Sequence, residues 1–141
     1  LEHLVDVDNV GTLIRHAAAF GADAVVLSPR CADPYYRKAI RTSAGTVFAM
    51  PVVRLARWPH DLVALRTRLG LRLAAAVVDP VATPLAAYRR PERVGLVLGA
   101  EGPGLSPDSR AACDDLVTIP MVHADSLNVA TAGAIMLYHL T

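Results

Sequence analysis

Cysteine is scarce in these 141 residues: Cys31 and Cys113 stand alone, with no further Cys or His at metal-ligand spacing. That argues against a zinc site and a disulfide framework, and makes a reduced, cytoplasmic setting the expectation. Long apolar runs are missing too. Stretches such as Leu73 to Val78 and Val94 to Leu98 fall far short of the roughly 20 residues that a membrane helix needs, so no membrane partner is expected. No charge of one sign dominates, since 14 basic residues face 13 acidic ones for a net +1; charge alone gives no support to nucleic-acid binding. Lysine is almost absent, Lys38 being the only one beside 13 arginines. The basic residues group as Arg30, Arg37, Lys38 and Arg41, as Arg54 and Arg57, and as Arg89, Arg90 and Arg93; the last two groups read as solvated surface. No secretory signal is visible, and because the chain opens on Leu1 rather than Met, a missing upstream segment is an open expectation.

What is present is ample material for a core: 53% apolar residues against 19% charged, at a length suited to one globular unit. Strand-like runs recur at Ala24 to Leu27, Val47 to Val53, Leu73 to Val78, Val94 to Leu98 and Leu116 to Ile119, separated by helical patterns or turn residues. This alternation predicts an α/β layered fold with a largely parallel sheet. Val10, Leu13, Ile14, Ala17 and Ala18 form one stripe of a helix that Asp8 or Asn9 could cap and Gly21 could end. Leu62, Leu65 and Leu69 repeat the pattern with Gly70 as the stop, and Ser106-Pro107 caps a short helix through Cys113. The last helix, Leu127 to Leu140, is apolar on almost every face, as suits burial by the body of the protein or by a second subunit. Asp79 to Arg93, with three prolines, reads as loop around one short helix.

Three blocks carry chemistry. The first, Asp8-Asn9-Val10-Gly11-Thr12-Leu13-Ile14-Arg15, puts Asn9 at a helix start and Arg15 off the apolar stripe; Asn9 is a cap or a ligand contact, Arg15 a surface charge or a contact. The second, Leu98-Gly99-Ala100-Glu101-Gly102-Pro103-Gly104, ends a buried strand in three glycines at the sheet edge where α/β folds bind ligands. Its G-x-x-G-x-G spacing, with Pro103 in the turn, rejects a dinucleotide fingerprint, and neither a Walker lysine nor a nucleophile elbow occurs. The third, Ile119-Pro120-Met121 through Ser126-Leu127-Asn128-Val129-Ala130, breaks a strand at Pro120 and sets Ser126 and Asn128 before a nearly all-apolar helix. Helix capping accounts for one of those two polar residues.

In this order and spacing, the blocks resemble the three signature motifs of the SpoU/TrmH branch of the SPOUT methyltransferases. The first is carried by Asn9, Gly11, Arg15, Phe20-Gly21 and Ser43-Ala44-Gly45, the second by Leu98 to Gly102, and the third by Ile119 to Met121 and Ser126 to Ala130. The match runs over essentially the whole chain. It implies a parallel-sheet α/β domain whose C-terminal segment threads a trefoil knot, working as a homodimer on an rRNA or tRNA substrate with S-adenosylmethionine as cofactor. Carried over residue by residue, Gly99, Ile119 and Leu127 would hold the cofactor, with Gly102, Met121 and Ser126 beside it. Asn9, Arg15, Glu101 and Asn128 would form the polar catalytic group, and Arg37, Lys38 and Arg41 are the RNA-backbone candidates.

The implied activity is methyl transfer to a ribose 2′-hydroxyl by residues 1–141, which do not include the additional N-terminal RNA-binding domain that many relatives use to choose their substrate. Arginine, with a pKa above about 12, is a poor base, so Arg15 is expected to clamp a phosphate and steady a developing alkoxide. His123 and Asp125 read as a solvated loop pair. A non-catalytic knotted dimer that binds RNA or nucleotide is the alternative, though a scaffold has no need of Asn9, Arg15, Glu101, Ser126 and Asn128 together. A nucleotide-binding oxidoreductase is disfavoured by the glycine spacing.

Overall fold

The computed structural model describes all 141 residues. In chain order the elements are α1 (Val7–Ala19), β1 (Val25–Leu27), α2 (Arg37–Thr42), β2 (Val52–Arg54), α3 (His60–Leu69), β3 (Arg72–Ala76), β4 (Thr83–Pro84), β5 (Val94–Val97), α4 (Pro107–Ala111), β6 (Asp115–Thr118) and α5 (Val129–His139). Every strand pairing is parallel, as the alternating pattern predicts: β1 with β2, and a four-stranded order β4-β6-β3-β5. Residues 1–3 join the two groups. Glu2 N–H donates to the Leu98 carbonyl at 2.8 Å, and Ser28 N–H to the Leu1 carbonyl at 2.9 Å.

The sheet is covered on both faces. Along β3 the side chains alternate, Leu73 packing with Leu62 of α3 and Val97, while Ala74 packs with Val117 and Met136 of α5. The largest cluster gathers Val10, Leu13, Ile14 and Ala17 of α1 around Val25, Leu27, Leu98, Val129 and Ala130. Fully burying side chains like Leu13 and Ile14 stabilises the fold by roughly 1.5–3 kcal/mol each. Gly133 lets α1 and α5 approach: a Cβ there would lie 2.4 Å from Leu13 Cδ2. No helix is long and apolar enough to cross a membrane.

Three local expectations are corrected. The α1 cap is Asp6, whose Oδ1 accepts from the N–H of Asp8 at 2.7 Å and of Asn9 at 3.2 Å; the helix starts earlier than its apolar stripe, which leaves the Asn9 side chain free. The run from Val47 to Val53 is no single strand. Gly45, at φ 76°, turns the chain into a 3-10 turn over Thr46–Phe48, closed by the Thr46 hydroxyl on the Ser43 carbonyl, so pairing waits until Val52. Within Asp79 to Arg93, Thr83–Pro84 pairs with β6 as an edge strand, where a proline costs no ladder donor, and the helix is a 3-10 turn at Leu85–Ala87. On α5 the body of this chain covers only part of the apolar surface, with Ile135 and Tyr138 exposed.

Candidate active site

Beyond the carboxyl ends of β3, β5 and β6 lies a cavity of about 620 Å³, where open parallel sheets place ligands. Ala76 to Val78, the loop from Leu98 to Leu105, Ile119 with Met121, and Ser126 to Val129 form its walls, closed by Ala132 and Met136 of α5. All six residues expected to hold a cofactor, Gly99, Gly102, Ile119, Met121, Ser126 and Leu127, line it, as do Glu101 and Asn128.

The glycine loop has a steric reason for its composition. A Cβ on Gly99 would stand 2.3 Å from the Gly104 carbonyl carbon and 2.4 Å from Leu105 N, so the loop folds back only over a bare backbone. Gly102 and Gly104 take φ of 83° and 70°, the left-handed region that favours glycine. The Gly104 N–H then closes onto the Ala100 carbonyl at 3.0 Å, aiming Glu101 outward.

Asn128 organises the polar rim. Its Oδ1 caps α5 by accepting from the N–H of Ala130 at 2.9 Å and of Thr131 at 3.2 Å. Its Nδ2 donates to Asn9 Oδ1 at 2.9 Å and to Glu101 Oε1 at 2.7 Å. Three of the four residues expected in the catalytic group therefore meet, and capping explains only half of what Asn128 does. Arg15 stands apart. It is exposed, lines no part of the cavity and makes no ion pair, because six helical residues carry it about 240° round α1 from Asn9 and about 9 Å along it. Of the RNA-backbone candidates, Lys38 Nζ is ion-paired to Asp8 Oδ2 at 2.6 Å, while Arg37 and Arg41 are exposed. His123 and Asp125 are exposed too, and outside this cavity.

The model of the SpoU rRNA Methylase family matches residues 1–138. The chain belongs to that family. An uncharacterized tRNA/rRNA methyltransferase of Mycobacterium tuberculosis strain H37Rv is 43% identical over all of this chain and 50% of its own length. The 23S rRNA (guanosine(2553)-2′-O)-methyltransferase RlmP of Bacillus subtilis is 35% identical over 99% of this chain and 56% of its own. Among solved structures, the SpoU methyltransferase AviRb of Streptomyces viridochromogenes, in complex with AdoMet, is 32% identical with a TM-score of 0.87, over 99% of this chain and 54% of that one. The AdoMet-bound rRNA methyltransferase of Sinorhizobium meliloti is 30% identical with a TM-score of 0.91, over 99% and 53%. The chain thus spans about half the length of these curated relatives.

Two parts of this SpoU-family site escaped sequence reasoning. Glu2, buried at 1% exposure, accepts at Oε1 from the Ser106 hydroxyl at 2.6 Å and the Ser109 hydroxyl at 2.8 Å, and at Oε2 from Ser106 N–H at 3.0 Å. Trp58 Nε1 donates to Ser109 Oγ at 2.7 Å. Burial pushes the Glu2 carboxyl up, but the serine hydrogen bonds outweigh it and hold it below the usual range. This network fixes the exit of the glycine loop. A carboxylate between Leu1 and Leu4 was its only signal. The second part is Arg110, a cavity wall paired with Asp79; the arginine's hydrogen bond lowers the Asp79 carboxyl, helped by Val81 N–H. With Arg110 neutralised, Glu101 is the one uncompensated charge on the lining.

Proposed function

We propose that this chain is the methyl-transfer domain of an S-adenosylmethionine-dependent enzyme acting on a ribose 2′-hydroxyl of rRNA or tRNA, working in the cytoplasm as a homodimer. The observation that carries the reading is the hydrogen-bonded group Asn9–Asn128–Glu101 at the rim of a glycine-walled cavity. The cavity suits the cofactor: its volume falls within the usual range of about 300–1,000 Å³ for small-molecule sites, its walls are mostly apolar, and its only unpaired charge is a carboxylate, which complements a sulfonium. Gly99 and Gly102 offer backbone without side chains, Met121 and Leu127 apolar surface, and Ser126 a hydroxyl.

When bound, S-adenosylmethionine supplies an already activated methyl group, so the protein's task is positioning. Asn128, locked by four hydrogen bonds, holds Asn9 and the Glu101 carboxylate in one arrangement at the cavity rim. Arg15 supplies a fixed positive charge for the phosphate beside the target ribose and for negative charge developing on its oxygen. Lying outside its own chain's cavity, it serves the cavity of the other subunit, and the exposed Ile135 and Tyr138 of α5 give the second subunit an apolar face. The three-part polar rim favours the enzyme over a silent RNA-binding dimer.

Calorimetric titration with S-adenosylmethionine and S-adenosylhomocysteine, with NAD as control, followed by transfer of labelled methyl to rRNA and tRNA, tests the proposal. Micromolar-range binding of the first two with ribose labelling supports it, and no binding of either sinks it.

A further inference from the structure

Tyr35 and Phe48 lie outside the apolar clusters, 51% and 71% exposed, yet touch each other with ring centroids 6.3 Å apart. Tyr35 sits just before α2 and Phe48 ends the turn just after it, so the pair spans the helix that holds Arg37 and Arg41. On α2, Ala39 is fully buried and both arginines are exposed. Each arginine is two positions, about 200° of rotation, from Ala39, so both project outward on the same face, one turn apart. Lys38 points instead to α1, where its ion pair with Asp8 ties α2 to the residue beside Asn9. An exposed aromatic pair beside two arginines without ion pairs, one helix from the cavity rim, combines a stacking surface with phosphate-binding charge.

Resting on the RNA substrate proposed above, we infer that Tyr35, Phe48, Arg37 and Arg41 form a landing for unpaired RNA flanking the target nucleotide. The aromatic rings take a base by stacking, which tolerates any sequence because every base has a π-face, and the arginines take the backbone.

The test is fluorescence anisotropy of a fluorescein-labelled 12-nucleotide oligouridine against the full chain across a salt series, with S-adenosylmethionine calorimetry and sedimentation on the same proteins. Tyr35→Ala with Phe48→Ala is expected to weaken RNA binding by roughly tenfold or more with an unchanged salt slope. Arg37→Ala with Arg41→Ala should flatten the log–log salt slope by about 1.4, the share of two single-strand phosphate contacts. Tyr35→Trp with Phe48→Trp should retain affinity. Unchanged RNA affinity in both alanine doubles overturns the landing, as does conversion of a wild-type dimer to monomers in the aromatic double, which would make this face a contact between copies. Cofactor binding separates the two ideas: RNA binding that behaves as expected in a chain unable to bind S-adenosylmethionine would sink the methyltransferase reading and leave the landing standing.

Discussion

Asn128 and Asn9, 119 positions apart in the chain, are joined by a hydrogen bond of 2.9 Å from Nδ2 to Oδ1. The same Asn128 side chain caps α5 through its oxygen, so its structural and chemical duties can be pulled apart. Asn128→Asp keeps a good cap but loses both donors and sets a second carboxylate against Glu101. Asn128→Ala loses the cap as well, at a cost of about 1 kcal/mol. Thermal unfolding should place Asp nearer the wild type than Ala, whereas methyl transfer should fall by at least a hundredfold in both. Retained activity in the Asp variant would remove Asn128 from the site.

Arg15→Ala is expected to leave dimer formation and cofactor affinity unchanged and to abolish transfer. Because Arg15 lies off the cavity of its own chain, mixing the Arg15→Ala and Asn128→Ala proteins should restore activity. In a random two-fold dimer mixture, roughly a quarter of wild-type activity returns if the residues work across the interface. No recovery after verified subunit exchange would place Arg15 with its own chain's cavity or outside the reaction.

Gly99→Ala and Gly133→Ala differ in what the added carbon meets. At Gly99 it meets the backbone of Gly104 and Leu105, so the loop must move; at Gly133 it meets the ends of the Leu13 and Leu98 side chains, which can turn aside. Cofactor affinity should drop more than tenfold for Gly99→Ala and by less than threefold for Gly133→Ala, which should instead lower the melting temperature. Calorimetry and a thermal melt on the two variants decide between these patterns.

The Glu2 network predicts a pH signature. The Glu2 carboxyl is held below its ordinary value of 4.5, so its stabilisation is fully present above that value and is lost as pH falls through the lower folded-state value. Glu2→Gln, leaving hydroxyl donors poorly matched in a buried site, should cost about 1–3 kcal/mol at pH 7. The gap between wild type and variant in denaturant melts should narrow below about pH 4. A gap constant from pH 7 to pH 3 would contradict this account of Glu2.

Much of this was legible from period and punctuation. The Val10-Leu13-Ile14-Ala17 stripe gave α1, Gly70 the end of α3, and Ser106-Pro107 the start of α4, because each rests on local rules of rotation, φ and capping. The six expected cofactor contacts on the cavity wall, with Glu101 and Asn128, came from the second and third motif blocks. What stayed hidden depends on distant partners. Tyr36 to Thr42 carries too short an apolar pattern to announce α2, Glu2 means nothing until Ser106 and Ser109 fold over it, and the turn at Gly45 overrides the strand propensity of Val47. Helical rotation put Arg15 off the apolar stripe in the sequence, but where the cavity lies relative to that face depends on the distant loops that form its walls.

The polar rim draws one member from the first helix and another from the last. A nascent chain emerging from the ribosome therefore carries Asn9 through 119 further positions of synthesis before Asn128 follows. Until then Glu101 has no amide to hold it, and the rim stays unassembled.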